Sequence, residues 1–265
     1  MAKIAIIGYC QTVAVLNAIG SWRESLQQDP VAEIPEILVP AGSKEPNTNG
    51  RLFDIMPAEG FSEFNDTKFC LLTSETHPAA RFMRTKGNGE ITLWYSDALK
   101  QFLDGVAGFD VIVSLLNGSE LSSLSKMDLP EFDVFPYDDD GADRPPIDLL
   151  YISQWTNQIV SWVEASLTLM RHLLPDKKII HVAPPPPIFK NHEFELQRPA
   201  LRLKLHRENL KRLREVTSNL NILFLEERPE AVNADGFLKS EFDDGYARGN
   251  AELGRLTAKK LLELI

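Results

Sequence analysis

Short runs of apolar residues alternate along the chain with longer segments in which apolar residues recur at helical spacing. The clearest apolar runs cover residues 3–8, 110–116 and 177–183. Runs of this length and composition are typical of strands that are buried on both faces of a sheet. The amphipathic segments 11–27 and 148–174 predict helices that bury one face and expose the other.

The rest of the pattern continues the same alternation. Further strands are predicted at 34–40, 68–73, 91–95 and 221–225, and further helices at 97–106, 201–218 and 251–264. Strands that alternate with helices indicate a parallel sheet with helices on both faces. We therefore predict the α/β class, a three-layer α/β/α arrangement with a central parallel sheet. No internal repeat or flexible linker is visible, so residues 1–265 form one predicted domain, with an insertion at about 43–96 and an acidic, proline-rich loop at 129–146.

Composition and charge narrow the possible partners. The formal net charge is −10, which argues against binding to nucleic acid. No apolar run approaches the roughly 20 residues that span a bilayer, so no membrane partner is expected. The first residues lead directly into a strand without a signal-peptide pattern, and the 2 cysteines provide no disulfide framework. The expected location is the cytoplasm, and the sequence leaves the oligomeric state open.

Polar and small residues follow the predicted strands and precede the last helix. They are Tyr9, Cys10 and Gln11 after the first strand, Gly42 after the second, Asn117 after 110–116, and Asp244, Arg248 and Asn250 before the last helix. Because the carboxyl ends of parallel strands share one edge, we expect these residues to face one crevice.

This set resembles the SGNH (GDSL-like) hydrolase superfamily. The first motif of that family places a nucleophilic serine two residues after a glycine, and Gly8-Tyr9-Cys10 is similar to it with cysteine in that place. Gly42 and Asn117 match the second and third motifs. The resemblance implies a flavodoxin-like SGNH-hydrolase fold. It also implies an acyl hydrolase or acyltransferase that acts on an ester-bearing carbohydrate or another small molecule.

The last motif departs from the family pattern, which is Asp-x-x-His. Alignment on Asn250 and Gly254 places Arg248 where the family has histidine, and Asp244 matches the aspartate only after a shift of one residue. Arginine stays protonated and cannot act as a general base. Around Asn117, Leu115 and Gly118 also differ from the residues that the family has there.

A cysteine nucleophile needs less help than a serine. A helix N-terminus lowers the pKa of a thiol from about 8.5 into a range of roughly 3.5 to 7.5. The resemblance then makes Cys10 the nucleophile, with Gly42 and Asn117 around the oxyanion and Asp244 as a further catalytic candidate. His77 is the first candidate for moving protons and His192 the second, whereas His172, His181 and His206 are interpreted as structural. The predicted substrate-binding residues are Tyr9, Gln11, Arg248 and Asn250.

Some SGNH-like polysaccharide acyltransferases carry a Gly-x-Cys-Gln nucleophile motif, to which Gly8-Tyr9-Cys10-Gln11 is similar. No resident cofactor is implied, although a transferase would need an acyl donor such as acetyl-CoA. The histidines and cysteines are too scattered for a zinc site, and the chain has no glycine-rich dinucleotide or phosphate loop.

Three alternatives stay open. Free cysteines are often buried as small hydrophobic residues, which is how Cys70 is interpreted and which Cys10 could share. The chain could instead be a catalytically inactive SGNH-like domain in which Arg248 binds a carboxylate or sulfate. The third alternative is a sugar- or nucleotide-processing α/β enzyme with unrelated chemistry.

Overall fold

The computed structural model describes residues 2–8, 11–24, 51–71, 83–85, 91–93, 106, 108–117, 133–134, 146–147, 149–189, 199–226, 229–243 and 249–265. The strands within these ranges are β1 Ile4–Gly8, β2 Gly20–Glu24, β3 Arg51–Pro57, β4 Lys68–Leu71, β5 Met83–Thr85, β6 Ile91–Leu93, β7 Val111–Leu115, β8 Asp133–Val134, β9 Pro146–Ile147, β10 Lys178–Val182 and β11 Leu223–Leu225. The α-helices are α1 Gln11–Ile19, α2 Leu149–Leu173, α3 Pro199–Asn219 and α4 Ala251–Leu264.

The main sheet has seven strands in the order β11-β10-β7-β1-β4-β3-β2. The strands from β11 to β4 are parallel, whereas β3 and β2 add an antiparallel edge. When the parallel strands are numbered along the chain, they lie in the order 2-1-3-4-5, which is the flavodoxin-like order. The predicted α/β fold class is confirmed, and the sheet is mixed at one edge.

Alternating side chains of the parallel strands supply two separate cores. In β1, Ile4 and Ile6 belong to the core that also contains residues of α1 and α4. Ala5 and Ile7 belong to the core that contains residues of α2 and α3. The helices pair in the same way, α1 with α4 and α2 with α3. Helices therefore cover both faces of the sheet, and the three predicted layers are present.

The predicted helix at 11–27 is too long. The helix ends at Ile19, and the chain continues directly into β2. Gly20 permits this change because a Cβ atom there would lie 2.1 Å from the carbonyl oxygen of Met56 on the adjacent strand. Trp22, which fits the helical spacing in the sequence, instead packs edge-on against Phe53 with ring centroids 4.8 Å apart. The predicted strand at 34–40 lies outside the described residues.

Other boundaries match the sequence pattern or refine it. The long helices at 148–174, 201–218 and 251–264 correspond to α2, α3 and α4. The predicted strand at 91–95 corresponds to β6, but β6 pairs with β5 rather than with the main sheet. Within the segment interpreted as a solvated loop, the short strands β8 and β9 pair in parallel. No helix in the described ranges is long and apolar enough to cross a membrane.

One histidine is part of the core beneath α2 and α3. His181 in β10 is fully buried, and its Nδ1 atom lies 3.1 Å from the hydroxyl oxygen of Ser114 in β7. The imidazole stacks on Phe224, and its Nε2 atom has no hydrogen-bond partner among the described residues. Burial lowers the pKa of His181 from 6.5 to about 4. The residue is therefore neutral near pH 7 and has a structural role, as its position in a predicted strand indicated.

This histidine should make the fold sensitive to acid. In the unfolded chain His181 takes up a proton as the pH falls through 6.5, whereas in the folded chain it does so only near pH 4. Protonation therefore favours unfolding, and His181 should reduce the free energy of unfolding by about 3 kcal/mol between these values. Urea denaturation of the wild type and of His181→Asn, which keeps a polar atom near Ser114, should show this difference across the pH series. Parallel pH profiles for the two proteins would contradict the assignment.

Candidate functional site

The strand order places a switch point at the carboxyl end of β1. Gly8, the last residue of β1, pairs with Leu71 of β4 on one side and with Leu115 of β7 on the other. In the chain order of the parallel strands these neighbours are the second and the third, so the order reverses at β1. Ligands of doubly wound sheets bind in the crevice outside the strand ends at such a point. The candidate site is therefore the edge around Gly8.

Gly8 is required by close packing. A Cβ atom at this position would lie 2.6 Å from Cγ2 of Thr12 and 2.7 Å from the carbonyl oxygen of Leu115. The close approach lets β1 lead into α1 with only Tyr9 and Cys10 between Gly8 and the first helical residue, Gln11. The N-terminus of α1, with its partial positive charge, therefore lies at the switch point.

Asn117 bridges two strand ends at the same edge. It follows β7 by two residues, is 2% exposed, and donates a hydrogen bond of 2.7 Å from Nδ2 to the carbonyl oxygen of Val182, the last residue of β10. The opposite amide orientation would bring two oxygen atoms to this distance, so the hydrogen bond fixes which atom faces Val182. The Oδ1 atom is buried and accepts no hydrogen bond from the residues that the structure describes. One Nδ2 hydrogen and the Oδ1 atom are thus left for other partners.

The last helix begins beside α1. A Cβ atom on Gly254 would lie 2.0 Å from the carbonyl oxygen of Ala14, and these residues belong to the first turns of α4 and α1. Because the first turns are in contact, both helix N-termini lie at the same edge of the sheet. The segment 244–248, which contains Asp244 and Arg248, precedes α4 in the sequence and lies outside the described residues.

Asn250 is the N-cap of α4. Its Oδ1 atom accepts hydrogen bonds from the backbone N–H groups of Glu252 and Leu253 at 3.0 and 3.2 Å, and its Nδ2 atom donates to the carbonyl oxygen of Glu241 at 2.7 Å. Asparagine is among the preferred N-cap residues, so the sequence carried this signal, although only a substrate-binding role was predicted. That role stays a prediction, and one Nδ2 hydrogen is left for it.

Most of the remaining predicted site residues lie outside the part of the chain that the structure describes. Of Gln11 only the backbone is described, as the start of α1. The predicted residues outside the described ranges are Tyr9, Cys10, Gly42, His77, His192, Asp244 and Arg248. Their roles stay predictions.

Cys70 is fully buried in β4, as its position within an apolar run predicted. Burial raises the pKa of its thiol to about 12. It is therefore unsuited to nucleophilic chemistry in the folded protein.

A groove at the opposite edge of the sheet has a structural role. It is lined by Arg171, Lys177, Lys178 and Asn221, among others. The guanidinium of Arg171 donates to the carbonyl oxygens of Leu220 and Asn221 after α3 and of Lys177 before β10. The guanidinium of Arg171 thus joins the end of α2 to the segment after α3 and to the segment before β10.

Comparisons with known proteins found similarity at the level of structure. No family model matches the chain, and no curated protein matches it. A lipopolysaccharide acetyltransferase periplasmic domain from Salmonella ser. Paratyphi A is similar over 100% of this chain and 84% of that chain, with 8% identity and a TM-score of 0.46. A GDSL-like lipase from Bacteroides thetaiotaomicron is similar over 98% of this chain and 86% of that chain, with 10% identity and a TM-score of 0.44.

A carbohydrate acetylesterase from Sinorhizobium meliloti is also similar, over 99% of this chain and 100% of that chain, with 13% identity and a TM-score of 0.39. The flavodoxin-like order and the three layers follow from the strands and helices of this chain itself.

Proposed function

We propose that this chain is an SGNH-like acyl hydrolase or acyltransferase that uses Cys10 as its nucleophile on an ester-bearing carbohydrate or small molecule. The observation that carries the proposal is the passage from β1 into α1 at the switch point. Gly8 is packed against Thr12 and Leu115, and Cys10 immediately precedes the first residue of α1. A thiol at a helix N-terminus is favoured as thiolate, the form that attacks an acyl carbon.

Two neighbouring strands support the other proposed roles. Asn117 keeps one Nδ2 hydrogen free of its bond to Val182, and this hydrogen is the one that would donate to an oxyanion. His77 comes six residues after Leu71, which pairs with Gly8. Six residues span at most about 20 Å, so the chain length allows His77 to lie near the crevice. Gly42 is the second proposed oxyanion donor, through its backbone N–H.

The proposed reaction has two steps. The thiolate of Cys10 attacks the acyl carbon, the bond from that carbon to the alcohol oxygen breaks, and the alcohol leaves with a proton from His77. The acyl group is then joined to Cys10 as a thioester. Water or an acceptor hydroxyl next gives a proton to His77 and attacks the thioester, which releases the acid or a new ester and restores the thiolate.

The second candidate function is a catalytically inactive domain that binds a ligand in the same crevice. Its support is Arg248, which replaces the family's histidine in the segment that leads into α4. The first turn of α4 contacts that of α1, so the helices that follow Cys10 and Arg248 in the sequence begin at the same edge. A guanidinium there would suit a carboxylate or sulfate. A cytoplasmic location also belongs to the proposal, and it rests on the sequence alone.

The pH dependence of alkylation tests the proposed nucleophile. Iodoacetamide labelling, followed by peptide mass spectrometry, should show fast modification of Cys10 with an apparent pKa well below 8.5. Cys70 is the internal control, because it is buried with a pKa of about 12 and should stay unlabelled in the folded protein. If Cys10 is inert or titrates like an ordinary thiol, the nucleophile is wrong and the binding function is favoured.

A further inference from the structure

The side-chain amide of Asn117 has an oxygen atom without a partner. The residue is 2% exposed, its Nδ2 atom donates to the Val182 carbonyl, and its Oδ1 atom accepts no hydrogen bond within the described part of the chain. Nearly all buried side-chain polar atoms have at least one partner, and an acceptor that lacks one retains its full desolvation penalty. Among the residues that the structure describes, no donor reaches the Oδ1 atom, so a donor from outside them is required.

The location of Asn117 indicates where that donor comes from. Asn117 lies just beyond the ends of β7 and β10, and its neighbour Leu115 pairs with Gly8 at the switch point. The bond to Val182 prevents the amide from reversing, so this position offers an acceptor under all conditions in which the bond persists. A hydroxyl-bearing ligand that reaches this side chain would find both a second N–H hydrogen and an oxygen that has no partner among the described residues.

We propose that Oδ1 of Asn117 accepts a hydrogen bond from a substrate hydroxyl that neighbours the acyl ester. This inference rests on the proposed function, and it restricts the substrate class to hydroxyl-bearing, sugar-like esters rather than simple alkyl esters. A site that holds a buried polar atom for a substrate hydroxyl discriminates strongly against analogues without it, since the polar atom then stays unpaired.

The test measures kcat/KM for two substrates with the wild type and with two variants of Asn117. The substrates are a methyl xylopyranoside that carries one acetyl ester and its deoxy analogue, in which hydrogen replaces the neighbouring hydroxyl. The protein variants are Asn117→Ala, which has no acceptor, and Asn117→Asp, which keeps an acceptor oxygen. Both variants lose the amide donor to Val182, and only Asn117→Asp keeps an acceptor oxygen at this position.

We expect the wild type to prefer the hydroxyl-bearing ester by roughly tenfold to hundredfold in kcat/KM. Asn117→Asp should keep most of this preference at a lower overall rate, whereas Asn117→Ala should reduce it to within about twofold. An equal preference in the wild type and Asn117→Ala would overturn the inference. So would a wild type that does not distinguish the two esters, a result that needs no variant to fold.

Measurements of the binding of unreactive analogues test the role of Asn117 independently of the proposed acyl transfer. The same comparison is made by ligand-observed NMR with unreactive analogues in which a methylene replaces the ester oxygen. If the wild type hydrolyses neither ester but binds the hydroxyl-bearing analogue more tightly than its deoxy partner, and Asn117→Ala does not, the acyl chemistry is wrong and the role of Asn117 stands. If neither analogue binds and neither ester reacts, both proposals are wrong.

Discussion

Replacement of Cys10 by alanine should lower kcat/KM on an acetylated sugar by on the order of 10³-fold or more, because the acyl group then has no atom to which it can be transferred. The fold should be retained, since the close packing at the end of β1 depends on Gly8. The measurement is steady-state hydrolysis of the ester, together with the unfolding temperature of each protein. The variant should also fail to form the acyl-enzyme that intact-protein mass spectrometry detects after rapid acid quenching of the wild type.

Cys70→Ala is the matched control for this experiment. Cys70 pairs with Ile7 in the β1–β4 ladder and is fully buried, so its loss should reduce stability without removing the proposed nucleophile. The folded fraction of Cys70→Ala should therefore hydrolyse the ester at a rate near that of the wild type. If Cys10→Ala hydrolyses the ester as fast as the wild type, the reaction does not proceed through Cys10.

The strands of the sheet centre could be predicted because their side chains are buried on both faces. The continuous apolar runs at β1, β7 and β10 have no exposed face that would interrupt them. The edge strand β2 carries a different pattern, in which Trp22 fits both helical and strand spacing. Only the contact of Trp22 with Phe53 and the close approach of Gly20 to Met56 decide between the two, and both contacts join distant parts of the chain.

In the candidate site, too, features set by neighbouring residues could be predicted from the sequence, whereas contacts between distant residues could not. Gly8 and Asn117 follow apolar runs, so their position at one edge could be predicted from the rule for parallel strands. The hydrogen bond from Asn117 to Val182 could not, because it joins residues 65 positions apart. The capping role of Asn250 could be predicted from its place directly before a helix. The family resemblance predicts only substrate binding for this residue.

The close approach of α4 to α1 gives the second large expected effect. Gly254→Ala should destabilise the protein by about 2 kcal/mol or more, because its Cβ atom would lie 2.0 Å from the carbonyl oxygen of Ala14, far inside ordinary contact. The higher helix propensity of alanine offsets only about 1 kcal/mol of this cost. Thermal unfolding should show the loss as a fall in the unfolding temperature of roughly 2–4 °C for each kcal/mol.

The control for this substitution is Gly108→Ala, because a Cβ atom at Gly108 would meet no atom within 4 Å. Its stability should change by less than about 0.5 kcal/mol. Because the first turns of α1 and α4 position the segments that precede them, Gly254→Ala should also slow the alkylation of Cys10 in the folded protein, whereas Gly108→Ala should leave it unchanged. If Gly254→Ala is as stable as Gly108→Ala, the first turns of α1 and α4 are not in contact, and the two helices need not begin at one edge.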